Sequence, residues 1–347
     1  MARNPIYAII AFEVLLASTS PGRCTEDPDS KVDVDSKIVG GFDIPLNKAP
    51  FLASLQKPGL GHFCGGALLS LGSVLTGCHC LGVLAQGVKR GEVQLRDYSD
   101  MTVHVGSENI DAPTALAQES KVQDAMVHPN CSFERYLIYD FGVILVTDQF
   151  KESPTVHPFE LVSLEKLPFD LQTTGLINNK VTECFVAGWG ATETDSHQHS
   201  QVSKGARMVI LPDADCSDKL GRENVKFKNF RFGDNAQMCS LSYGYRKNSS
   251  DCVGDSGGPF FCGKKVFGLV SYGYDCGFWD TPNVYAKLSY FVEWYSIMRY
   301  KEGLHSMPRS SVKTTSPFFT PIIHNSSPSV MLFLRTLFFI VIHINLF

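Results

Sequence analysis

A serine between glycines, in the run "GDSGGP" at Gly254–Pro259, has the setting of a nucleophile. Flanking glycines let the backbone turn sharply and leave its N–H groups unobstructed. A serine hydroxyl is a weak nucleophile and needs a neighbouring base. Histidine suits that task because its ordinary pKa is near neutrality. The histidine in turn needs a buried acceptor that fixes its tautomer. Such a serine loop alone would more often be a simple turn. The chain also supplies His79 in "SVLTGCHC", at the end of a strand, and Asp140 in "YDFGVILV", directly before an apolar strand. Cys80 beside His79 can be stapled to Cys64 in "HFCGG".

These residues need a scaffold. Strand-like segments recur at Phe51–Leu55, Ala67–Leu75, Val143–Val146, Glu183–Ala187, Ala206–Leu211 and Val266–Ser271. Gly, Pro, Asn and Asp punctuate them, which predicts an all-β sandwich or barrel. One helix is predicted over Tyr290–Tyr300, where Phe291, Trp294, Tyr295 and Met298 fall at helical spacing. No internal sequence repeat is visible.

The chain has 347 residues, 44% of them apolar, so it can bury a sizeable core and reads as globular. A net charge of -4 without a basic block excludes a nucleic-acid partner on composition. Eleven cysteines argue for an oxidising compartment. Residues 1–20 read as a signal peptide: Arg3, an apolar run from Ile6 to Ala17 broken by Glu13, then small residues. A buried N-terminal helix is the competing reading. Residues 21–37 are polar and acidic and end in Ser36-Lys37. Residues 38–303 are the globular stretch. Residues 304–347 form a Ser/Thr/Pro-rich stalk and an apolar tail, Val330–Phe347. Arg335 and the short length disfavour a membrane span. A glycolipid-anchor signal fits better, with Asn325, Ser326 and Ser327 small enough for attachment. A spanning segment and an ordinary tail remain the alternatives.

The four motifs "IVGG" at Ile38, "GCHC", "YDFGVILV" and "GDSGGP" resemble the trypsin/chymotrypsin-like serine proteases, in the same order and at similar spacing. "AGWGATE" at Ala187, "SYG" at Ser271 and "TPNVYAKL" at Thr281 add to the resemblance, which covers residues 38 to about 300. It implies two packed six-stranded antiparallel β-barrels with a C-terminal helix. It implies His79 as general base, Asp140 as its orienter and Ser256 as nucleophile, with the N–H groups of Gly254 and Ser256 as the oxyanion hole. It also implies a precursor cut after Lys37, whose new Ile38 ammonium pairs with Asp255. Asp33 and Asp35 would discourage premature cleavage, unless they are only a solvated linker. The expected partners are a protein or peptide substrate, an activating trypsin-like protease, protein inhibitors and, through the tail, a membrane. No cofactor is expected.

The departures concern specificity and cysteines. Ser250 would lie at the base of the specificity pocket, followed by Asp251, and Asn283 replaces a glycine that normally leaves the pocket open. Asp251 could receive a substrate cation, or Asn283 could hydrogen-bond it and partly fill the pocket. The balance lies slightly with a basic residue before the scissile bond, because a buried carboxylate wants a positive partner. Ser271, Tyr272 and Gly273 would bind substrate backbone. The family pattern implies disulfides Cys64–Cys80, Cys184–Cys262, Cys216–Cys239 and Cys252–Cys276. Of the remaining three, Cys78–Cys131 is the preferred pair, Cys24–Cys131 the competitor. No metal is expected: in the loop Gly106–Ala117, Ser107, Thr114 and Ala117 stand where hard oxygen ligands would be needed. Asn130-Cys131-Ser132 and Asn248-Ser249-Ser250 are glycosylation acceptors by pattern. The rival from another class is a catalytically inactive homologue that serves as a binding module.

Overall fold

The apolar runs pair into two rings of six strands each. The computed structural model describes residues 41–84, 93–133, 136–181, 183–191, 198–243, 251–273 and 280–301. The first ring comprises β1 (Leu52–Lys57), β2 (Gly61–Ser70), β3 (Ser73–Thr76), β4 (Thr102–Val105), β5 (Gln118–Val127) and β6 (Gly142–Val146). It closes in the order β1-β2-β3-β6-β5-β4, antiparallel throughout. The second comprises β7 (Cys184–Gly188), β8 (Lys204–Leu211), β9 (Gln237–Ser242), β10 (Pro259–Cys262), β11 (Lys265–Tyr272) and β12 (Asn283–Lys287). It closes in the order β7-β8-β9-β12-β11-β10, again antiparallel. Each ring therefore has the same connectivity, although the sequence shows no repeat. Closure leaves neither ring of six an open edge, which suits a chain rich in apolar strands.

The two expected barrels are present, and the detail differs from the sequence reading in three places. Ala67–Leu75 is two strands, because Leu71 and Gly72 form a turn closed by Ser70 Oγ and Ser73 Oγ at 2.7 Å. The predicted C-terminal helix forms as α4 (Leu288–Lys301), burying Phe291, Val292, Trp294, Tyr295 and Met298. Full burial of such side chains contributes about 1.5–3 kcal/mol each. Among the described residues three further α-helices precede it: α1 (Cys78–Leu81), α2 (Lys166–Asn178) and α3 (Asp213–Glu223). Of these, α2 carries a weak apolar stripe: Phe169 faces inward while Leu167 and Leu171 are exposed. In α3, Asp213 and Asp215 in the first turn and Arg222 in the last suit the helix dipole, and Cys216 and Leu220 turn inward. Among the described residues no helix is long and apolar enough to cross a membrane.

Four disulfides join described cysteines: Cys64–Cys80, Cys78–Cys131, Cys184–Cys262 and Cys216–Cys239. Cys184–Cys262 ties β7 to β10, and Cys216–Cys239 ties α3 to β9. Cys252 is also disulfide-bonded. Cys276, Cys24 and the 302–347 tail lie outside the described residues, as do Asn248, Ser249, Ser250, Lys37 and Ile38.

Candidate active site

The chemistry-bearing residues stand at ends of strands from both barrels. His79 is in α1, the single turn that follows β3. Asp140 ends the loop between β5 and β6. Ser256 lies in the loop between β9 and β10. The serine loop packs against the first barrel closely enough to require glycine. Gly65 N donates to Ser256 O at 2.8 Å, and Thr76 Oγ1 donates to Gly65 O at 2.7 Å. A Cβ on Gly257, whose φ is +76°, would fall 2.2 Å from Thr76 Oγ1.

Asp140 holds His79 twice. Its Oδ1 accepts from the His79 backbone N–H at 2.9 Å, and its Oδ2 meets His79 Nδ1 at 2.8 Å. Ser271 Oγ also donates to Oδ2, at 2.6 Å. The carboxylate is 1% exposed. Burial pushes its pKa up, but the His79 charge and the donors on His79 and Ser271 outweigh this and hold it below the ordinary carboxylate range. Nδ1 is thus committed to Asp140, which leaves Nε2 outside that pair. The Cys80 sulfur lies 3.8 Å from His79 Nε2 and 3.5 Å from Ser256 O. No hydrogen bond joins Ser256 Oγ to Nε2, a contact that in many enzymes tightens only with substrate.

The serine loop leaves two of its backbone N–H groups without a described partner. Gly254 has φ +99°, a conformation natural to glycine. The N–H groups of Asp255, Gly257 and Gly258 donate to Cys252 O, Val270 O and Asp255 O. Those of Gly254 and Ser256 donate to no described group. The Gly254 carbonyl is held from behind by His62 Nε2 at 2.9 Å, while His62 Nδ1 lies 2.8 Å from Ser54 Oγ. The carbonyl can only accept, so Nε2 carries the proton and Nδ1 accepts from the serine. Burial lowers the His62 pKa to about 4, which keeps the ring neutral. Sequence reasoning missed His62, although it stands two residues before Cys64 in a quoted motif.

Asp255 is buried, its Oδ1 accepting from Gly190 N at 2.8 Å and its Oδ2 from Cys252 N at 2.9 Å. Burial pushes its carboxyl up to about 7, against those two donors, with nearby Asp251 adding to the rise. This is a buried acid held by neutral groups and receptive to a cation.

Asp251 has the internal partner that was the second of its two expectations. Asn283 Nδ2 donates to its Oδ1 at 2.6 Å and Tyr285 Oη to the same oxygen at 2.7 Å. The same oxygen thus takes two neutral donors, one of them, Tyr285, not singled out by sequence. Burial nonetheless pushes the Asp251 carboxyl up. Asn283 also leans on the edge segment 271–273: a Cβ on Gly273 would meet its Oδ1 at 2.6 Å.

The two clusters of potential metal donors among the described residues, Cys64/His79/Cys80 and Cys78/Cys131/Asp140, place their sulfurs in disulfides. In the loop 106–117, Ser107 Oγ donates to Asn109 O, and Asn109 Oδ1 accepts from the N–H groups of Asp111 and Ala112.

Comparison with known proteins agrees with this arrangement. The family model described as Trypsin matches residues 38–295. Trypsin of Sus scrofa is 27% identical over 263 residues, spanning 76% of this chain and 95% of that protein. Trypsin of Xenopus laevis is 29% identical over 260 residues, 75% of this chain and 89% of that protein. Trypsin 5G1 of Aedes aegypti is 30% identical over 259 residues, 74% and 83%.

Proposed function

The chain belongs to the trypsin family of serine proteases, and from that premise we propose that it is a secreted endopeptidase, made as a precursor and activated by cleavage after Lys37. Ser256 Oγ attacks the substrate carbonyl while His79 Nε2 takes its proton. Asp140, bonded to Nδ1, fixes the tautomer and stabilises the imidazolium. The N–H groups of Gly254 and Ser256 receive the developing oxyanion, which accounts for a large share of such rate enhancements. His79 then protonates the leaving amine, and water releases the acyl-enzyme by the reverse proton path. The observation that carries this reading is the buried Asp140 carboxylate, 2.8 Å from His79 Nδ1, together with a serine loop two of whose N–H groups have no partner among the described residues.

Before the scissile bond the enzyme takes an uncharged side chain, because Asn283 and Tyr285 occupy Asp251 and Asn283 narrows the space beside Gly273. Cleavage after Lys37 frees the Ile38 ammonium for Asp255, whose buried carboxyl has only neutral partners among the described residues. The activating enzyme cuts after lysine and is therefore trypsin-like. Residues 1–20 direct secretion, residues 21–37 are removed on activation and residues 304–347 serve as stalk and anchor, with Asn130, which is exposed, as a glycosylation acceptor.

The test is a peptide-library digest by the protein cut after Lys37, with Ser256→Ala as control. Ser256-dependent cleavage after uncharged residues is expected. No Ser256-dependent cleavage, together with no labelling by a serine-directed phosphonate, would transfer the chain to the binding-module class.

A further inference from the structure

His79 has a half-cystine on each side. Cys80 ties the α1 turn to Cys64 on β2. Cys78 ties it to Cys131, in the loop between β5 and β6 that ends at Asp140. The second bond joins the segment bearing the histidine to the segment bearing its carboxylate. Its path to Asp140 is short. Ser132, next to Cys131, exchanges hydrogen bonds with Ile138: Ser132 N to Ile138 O at 3.3 Å and Ile138 N to Ser132 O at 3.2 Å. Ile138 precedes Asp140 by two residues. The other side of the loop is fixed as well, with Cys131 N donating to His128 O and His128 N to Phe141 O, both at 2.9 Å. The His128 ring stacks on Tyr139 at 4.8 Å. Tyr139 has φ +49°, an uncommon conformation for a bulky residue, which the surrounding contacts must hold.

The crosslink also covers the acid. The sulfurs of Cys78 and Cys131 and a carboxylate oxygen of Asp140 lie within 4.8 Å of one another. Cys78 is 0% and Cys131 7% exposed. A buried apolar bridge there keeps water from competing for the carboxylate, so each of its hydrogen bonds acts in a low dielectric.

We propose that the Cys78–Cys131 disulfide is the positioning crosslink of the His79–Asp140 pair, holding the Asp140 loop to the His79 turn and screening the carboxylate from water. It touches neither substrate nor reacting atoms; it acts through Asp140 and His79. The proposal rests on the reading of those two residues as the catalytic pair.

The test compares Cys78→Ala/Cys131→Ala with a control lacking a bond of the second barrel, Cys184→Ala/Cys262→Ala, each cut after Lys37. A displaced catalytic pair costs kcat rather than binding, and misplacement of about 1 Å costs about 100-fold. The expected result is a kcat about 10–100-fold lower with KM within about twofold. The low-field NMR resonance of the proton between His79 Nδ1 and Asp140 is also expected to be lost or broadened. The control keeps that resonance. An unchanged kcat, or a retained resonance in the first variant, overturns the proposal. If the double variant does not fold, Cys131→Ala alone, which leaves Cys78 as a small buried thiol, is read by the same two measurements. The NMR signal does not need turnover. A wild-type protein that cleaves nothing would thus refute the protease reading, while the resonance would still decide the crosslink.

Discussion

Asn283 and Asp251, 32 residues apart in the chain, meet in a hydrogen bond of 2.6 Å. The same Asp251 oxygen takes the Tyr285 hydroxyl at 2.7 Å, so this buried carboxyl has two neutral donors among the described residues. The geometry makes Asn283 both a partner of that carboxyl and an obstacle beside Gly273.

Asn283→Gly removes the obstacle and one donor together. The carboxylate is then short of a partner, and space opens for a substrate cation to supply it. The expected outcome is a rise in kcat/KM for peptides with Lys or Arg before the scissile bond, by about tenfold or more relative to uncharged competitors. A peptide-library profile of the variant beside the wild type reads this directly. An unaltered profile would mean that Tyr285 alone holds Asp251.

Asp140→Asn keeps the shape of the acid but leaves an amide against His79 Nδ1 and removes the charge that favours the imidazolium. A loss of about 10,000-fold in kcat is expected, with KM little changed. Ser271→Ala is milder. It removes one of the donors to Asp140 Oδ2, leaving those from His79. A hydrogen bond to a charged group is worth about 1.5–3 kcal/mol, so about 10–100-fold in kcat/KM is expected. Steady-state kinetics on one good peptide ranks the two, and a Ser271→Ala loss as large as that of Asp140→Asn would contradict the assignment.

His79, Asp140 and Ser256 could be nominated from the sequence because each stands in a short run of distinctive composition that resembles a motif of the family. The part of Ser271 in holding Asp140 could not, since the bond spans 131 residues and a serine after an apolar strand has many uses. The strand content followed from apolar runs between turn residues, whereas the two-barrel expectation came from the resemblance to the family. The helix α2 was hidden because its exposed Leu167 and Leu171 blur the apolar period that marks a helix. The fate of Asp251 was open in the sequence because two partners were conceivable and only packing decides between them.

His62 offers a pH dependence of known sign. Its pKa in the folded chain is lowered to about 4, while an unfolded histidine takes its proton near 6.5. The contribution of the neutral ring to stability is complete above about pH 6.5 and is lost as pH falls towards 4. His62→Gln retains a donor for the Gly254 carbonyl but cannot titrate. Denaturant unfolding from pH 7 to 4 should therefore show the wild type losing stability relative to the variant as the solution is acidified. A constant difference across that range would show that His62 does not titrate between the two states.

Asp255 gives the opposite sign, and with it a test of activation. In the uncut chain its carboxyl is raised to about 7, against an ordinary value of 3.8. Its contribution to stability is complete below about pH 3.8 and is lost as pH rises through 7, because the folded protein must then bury an anion. Cleavage after Lys37 would supply the Ile38 ammonium, whose own pKa is near 8. The paired carboxylate ionises at much lower pH, and the loss disappears. Intact and cleaved forms of Ser256→Ala, which cannot digest themselves, should differ less in stability at pH 5 than at pH 7.5. They should separate by pH 7.5 in favour of the cleaved form, by on the order of 2 kcal/mol. Asp255→Asn, uncharged at every pH, should abolish the separation. A gap already present in full at pH 5, or one that persists in Asp255→Asn, would mean that the new amino terminus finds a different partner.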